Sequence, residues 1–109
     1  MAMAAKKGCA PVFAALGDER RLRLVARLCQ GGGPMSITEL TAGSDVTRQA
    51  ITKHLRVMEQ AGLVRGARRG RESVWQLEQQ RLADVRRYLD RISEQWDAAL
   101  GRLRQLVEE

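Results

Sequence analysis

The stretch that decides the reading is residues 36–62, SITELTAGSDVTRQAITKHLRVMEQAG. Ser36 followed three residues later by Glu39 is a capping box, which opens a helix by satisfying its first free N–H groups from both sides. That helix must be short, because Gly43-Ser44-Asp45 interrupts it. Thr47 then caps a second helix running to about Ala61, with Gly62 ending it. In this second helix Ile51, Leu55 and Met58 share one face, while Arg48, Gln49, Thr52, Lys53 and Arg56 occupy the other. A short helix, a glycine-bearing turn and a longer helix with a basic outer face predict a helix-turn-helix.

Moving outward, Leu63–Arg65 and Ser73–Leu77 read as short strands. Between them the loop Gly66-Ala67-Arg68-Arg69-Gly70-Arg71 gives a β-hairpin with a basic tip. On the other side, Asp18 caps a helix carrying Leu22, Val25 and Leu28 at helical spacing, which stops at Gly31-Gly32-Gly33-Pro34. A short helix near Pro11–Leu16 precedes it. From Gln79 onward there is no proline, and Leu82, Val85, Leu89, Ile92, Trp96, Ala99, Leu103 and Leu106 alternate in steps of three and four. A helix of that length exceeds what so small a chain can cover by itself, so the seam predicts pairing with a second copy. Phe13 is expected to join that interface. The expected fold class is mostly α with a small β-hairpin. It is one winged helix-turn-helix domain over 1–109, with a core at 10–78 and a dimerisation helix at 79–109.

Charge sharpens this. The chain has 109 residues and a net charge of +6. Residues 46–77 hold seven basic against two acidic side chains, whereas residues 78–109 hold six against seven. The excess therefore sits on the second helix of the helix-turn-helix and on the hairpin, as phosphate neutralisation requires. Four aromatic residues, Phe13, Trp75, Tyr88 and Trp96, are few for a reader that stacks single-stranded bases. The apolar stretch after Lys6 and Lys7 is short and contains Pro11, which argues against export. With no run long enough to span a membrane, a cytoplasmic location and no membrane partner are expected. Dinucleotide, phosphate-loop and nucleophile-elbow motifs are absent, so no enzymatic activity and no cofactor are expected.

Three stretches resemble the ArsR-type winged-helix transcriptional regulators: Phe13–Leu24, Val46–Val64 and the hairpin Arg65–Leu77. The resemblance implies a homodimer, joined through first and last helices, that binds palindromic operator DNA and usually represses. It departs where metal-sensing members carry thiols or histidines. Ser36–Thr41 has no cysteine, and the last helix offers Asp84, Asp90, Glu94, Asp97, Glu108 and Glu109 without a histidine. No metal site is expected on either pattern. The tail around Tyr88–Asp97 looks like a non-metal-sensing subgroup.

The expected double-stranded DNA contacts are Thr47, Arg48, Gln49, Thr52 and Lys53 with Arg56 on the helix, and Arg65, Arg68, Arg69 and Arg71 on the wing. His54 stands at the edge of the apolar face, either near phosphate or packed. The expected dimer contacts are Phe13, Leu82, Val85, Leu89, Ile92, Trp96, Leu103 and Leu106. Cys9 and Cys29 are candidates for a thiol switch or simply small buried groups. Two alternatives stay open: a redox-responsive regulator of the same fold, and a helical interaction module with a basic patch. The sequence names no effector.

Overall fold

The computed structural model describes residues 8–108; the reading of residues 1–7 lies outside them. The order of elements is α1 (Ala10–Leu16), α2 (Glu19–Gly31), β1 (Met35–Ser36), α3 (Ile37–Thr41), α4 (Arg48–Gln60), β2 (Val64–Arg69), β3 (Glu72–Leu77) and α5 (Gln79–Glu108). Each helix start expected from a cap is built by that cap. Asp18 accepts from the backbone N–H of Arg20 and Arg21. Ser36 Oγ accepts from Glu39 N at 3.1 Å while Glu39 Oε1 accepts from Ser36 N at 2.9 Å. Thr47 Oγ1 accepts from Ala50 N at 3.1 Å. Gly62, at φ +80°, closes α4 in the left-handed region that a glycine enters without strain.

The core gathers Val12, Leu24, Leu28, Leu40, Ile51, Leu55, Met58 and Leu63 beneath Val64 and Trp75. Full burial of each large apolar side chain contributes about 1.5–3 kcal/mol. The three buried residues of α4 stand at i, i+4 and i+7, so its opposite face must point outward.

The sheet differs from the expected hairpin in two ways. It has three antiparallel strands in the order β1-β3-β2, because Met35 and Ser36 pair with Trp75 and Val74. Two residues carry no readable alternation, so β1 escapes sequence inspection. The wing is also longer and its tip tighter. The ladder runs from Val64↔Leu77 to Arg69↔Glu72, leaving only Gly70-Arg71 to turn. Gly70 has φ +64° at the first central position, the demand of a two-residue hairpin turn. Gly66 does not belong to a loop. It lies in β2 opposite Trp75, where a Cβ would come within 2.9 Å of the indole ring. Glycine is there to let the ring lie across the strand, not to turn the chain.

The long helix divides along its length. Val85 is buried and Leu82 packs against the same core, so these two seam positions are covered by their own chain. Val85 is thus taken up by its own core, Leu82 keeps a half-exposed side, and the fully exposed part of the seam starts at Leu89. From there Leu89, Ile92, Trp96, Leu103 and Leu106 are all exposed, as are Leu100 and Val107.

Candidate nucleic-acid interface

α4 presents its N-terminus and outer face to solvent. Thr47 satisfies one first-turn N–H by capping, and the neighbouring N–H groups at this positive end of a 13-residue helix suit an anion. Gln49 and Lys53 are exposed and Thr52 is half-buried beside them. Arg48 is exposed too, and its Nη1 donates to Thr38 Oγ1 at 3.3 Å, joining the N-terminal ends of α3 and α4. A guanidinium held through one terminal nitrogen in this way still has donors left for a guanine edge or a phosphate.

The remaining expected contacts are less uniform. Arg56 is drawn toward the wing. Its guanidinium carbon lies 5.6 Å from the Trp75 ring centroid and its Nη1 is 3.5 Å from Glu59 Oε1. It therefore braces the junction of α4 and the sheet. Arg65 is at the base of the wing, 3.8 Å from Glu78 Oε1. Arg68, Arg69 and Arg71 cluster at the exposed tip, with Glu72 across the ladder from Arg69. His54 turns inward: its Nδ1 is 3.3 Å from Arg21 Nη1. Arginine can only donate, so Nδ1 is the acceptor in this contact.

Several residues that hold this surface in place were not singled out by sequence. Arg21 Nε also donates to Ala15 O, tying the end of α1 to α4 through His54. Arg27 on α2 donates to Glu39 O at 2.7 Å and Ala42 O at 3.3 Å, capping the C-terminal end of α3 where the turn begins. Arg81, whose side chain is only 11% exposed, is the most enclosed. Its Nη2 donates to Gly8 O at 2.7 Å and its Nε to Ala61 O at 3.3 Å, while Nη1 is 3.9 Å from Asp84 Oδ2. It joins the start of α1, the end of α4 and the first turns of α5. Sequence marks it only as one more helix cation, since its acceptors are backbone carbonyls far away in the chain.

Asp18 is the titrating group whose environment is clearly altered. The N–H of Arg21 holds its carboxyl below the usual range; partial burial opposes this, and the N–H of Arg20 and the Arg21 charge add to the lowering. The two cysteines are free thiols. Cys9 is half-buried with Sγ 3.9 Å from Asp84 O, and Cys29 is exposed in the last turns of α2. Among the described residues no cluster of three or more histidine, cysteine or acidic side chains could hold a metal ion. No described helix is long and apolar enough to cross a membrane.

Residues 16–67, from the end of α1 into the wing, match the family described as a helix-turn-helix domain. The chain is 37% identical over 94 residues to the HTH-type transcriptional regulator Rv2034 of Mycobacterium tuberculosis, covering 86% of this chain and 83% of that one. It superposes on an ArsR-like transcriptional regulator from Rhodococcus sp. RHA1 with a TM-score of 0.77 and 35% identity, over 97% of this chain and 96% of that one. This chain belongs to the ArsR-type winged helix-turn-helix regulators. It is accordingly a DNA-binding transcriptional regulator. A Mycobacterium bovis winged helix-turn-helix DNA-binding domain, described as homodimeric, shares the fold with a TM-score of 0.62 at 20% identity, covering 78% and 77% of the two chains.

Proposed function

We propose that this ArsR-type regulator binds a palindromic operator as a homodimer and represses transcription. In this reading α4 enters the major groove, with Arg48, Gln49, Thr52 and Lys53 nearest the base edges. Arg68, Arg69 and Arg71 follow the backbone or the adjacent minor groove. The observation that carries it is the outward face of α4. A capped, cationic helix stands with its polar side uncovered while its apolar side is sealed into the core. Support for pairing comes from the bare seam of α5 and from the homodimeric M. bovis domain of the same fold. Two-fold pairing would make the site palindromic, because each half reads the same bases. Repression is the regulatory sense that the family resemblance implies.

Selecting bound duplexes from a random pool and sequencing them tests the reading. It expects an inverted repeat whose half-sites are about one helical turn apart. Recovery of unrelated sequences would refute base-specific reading, and recovery of a single half-site would refute the paired mode.

A further inference from the structure

A cleft of about 390 Å³ lies between α2, the turn Gly43–Val46 and the inner side of α4. Its volume falls in the lower part of the range of small-molecule sites, about 300–1,000 Å³. Half-buried Val46 provides apolar surface within it, over a floor backed by the core residues Leu24, Leu40 and Ile51, and Arg20, Arg23 and Arg27 reach it from one side of α2. Three guanidiniums at i, i+3 and i+7 repel one another along that helix. Asp45 is the one carboxylate in the lining, so the wall is net cationic. Arg27 is hydrogen-bonded to uncharged carbonyls, which leaves its charge uncompensated. Among the described residues Arg23 pairs with Glu19 alone, at the solvent surface, where such a pair is weak and readily exchanged. Among the described residues the Arg20 side chain makes no hydrogen bond or ion pair.

From this combination we infer that the cleft is a binding site for a small amphipathic anion, a carboxylate with an apolar body of modest length. The carboxylate would meet the α2 arginines and the body would lie against Val46, above the closed floor of Leu24 and Ile51. A DNA phosphate suits this place poorly, since it has nothing to gain from an apolar floor. The lining comes from α2, from Leu40 of α3, from the turn and from α4, so an occupant would bias how the two helices of the helix-turn-helix sit together. Its effect on DNA rests on the function proposed above; the binding itself does not.

Titration calorimetry of the full chain with octanoate, octanol and octylammonium tests the site. Octanoate is expected to bind once per chain, and the neutral and cationic probes about tenfold or more weaker, the ratio of one charge-assisted hydrogen bond. Arg20→Gln should weaken octanoate by a similar factor. Ala26→Phe, a filling change at an exposed lining position, should abolish octanoate binding and leave affinity for random duplex DNA unchanged. Equal binding of the three probes, no octanoate binding by the folded wild type, or octanoate binding untouched in both variants would each overturn the site. So would a loss of duplex affinity and a flatter salt slope in Arg20→Gln, which would make these arginines DNA contacts. Octanoate should also change the affinity of the wild-type chain for the selected duplex. If that change is missing although octanoate and duplex both bind, the regulatory coupling fails. If no duplex binds at all, the proposed function fails and the site still stands on the calorimetry.

Discussion

α4 and α5 are both amphipathic helices in one chain, and they end up in opposite circumstances. On α4 the apolar side chains Leu55 and Met58 are completely closed off and Ile51 is 3% exposed. On α5, past its first two turns, Leu89 is 47% exposed, Trp96 64% and Leu106 72%. A stripe of leucines at helical spacing says that a face wants cover. It does not say who provides it. For α4 the cover is the chain's own α1–α3 and sheet, so the polar face is what the molecule displays. For α5 the cover is missing beyond Val85, and what the molecule displays is the apolar face itself, a patch of the kind that marks an association surface.

The contrast can be broken most forcefully on the closed side. Leu55→Ala should cost about 2–5 kcal/mol, since it opens a cavity where the surroundings cannot collapse. Denaturant unfolding would show it as a lower midpoint; an unchanged midpoint would mean that α4 is not sealed as described. On the open side, Leu89→Asp should leave the monomer folded but weaken self-association by roughly 10–100-fold, the scale of a central interface residue. Sedimentation reads this directly, and a variant that remains dimeric at the same concentration would place the contact elsewhere.

The charged surface gives smaller effects. Arg68→Ala with Arg69→Ala should lower affinity for all duplexes alike and reduce the slope of log K against log salt by up to about two. An altered sequence preference would instead make the wing a base reader. Ser36→Ala removes the hydroxyl that accepts from Glu39 N, leaving only the backbone N–H of residue 36 to donate to Glu39, and should cost about 1 kcal/mol, seen as a modest fall in thermal midpoint. The smallest effect concerns pH. The folded carboxyl of Asp18 titrates below its unfolded value, so its contribution is fully present above the unfolded pKa and is lost as pH falls through the folded one. Asp18→Asn should flatten that acid limb of the stability curve; an identical limb in the variant would assign it to other carboxylates.

The helices that carry the candidate interface could be read from sequence because the signals that start them are local. Ser36 with Glu39, Thr47 and Asp18 each act within three residues, so the starts of α2, α3 and α4 follow from adjacent letters. What escaped depends on partners distant in the chain. Gly66 and Gly70 look alike in a sequence, yet one yields to an indole ring across the sheet and the other turns the backbone. The seam periodicity picked out the buried face of α5 without showing that Leu82 and Val85 pack on their own chain. Arg56 sits on the outer face of α4 as expected, but only the placement of Trp75 reveals what holds it. Arg81 gave no signal at all, since its acceptors at Gly8 and Ala61 are found only once the chain has folded.

That buried guanidinium has a mechanical meaning. It fastens the end of α4 to the root of α5, so in the proposed function the reading head and its stalk would move together. In the proposed pair, two such pieces joined along their stalks form a caliper with a preset opening. The gap between the heads is then fixed by how the stalks cross, and a slight roll of one stalk against the other, far from any base, would open or close the jaws on the duplex.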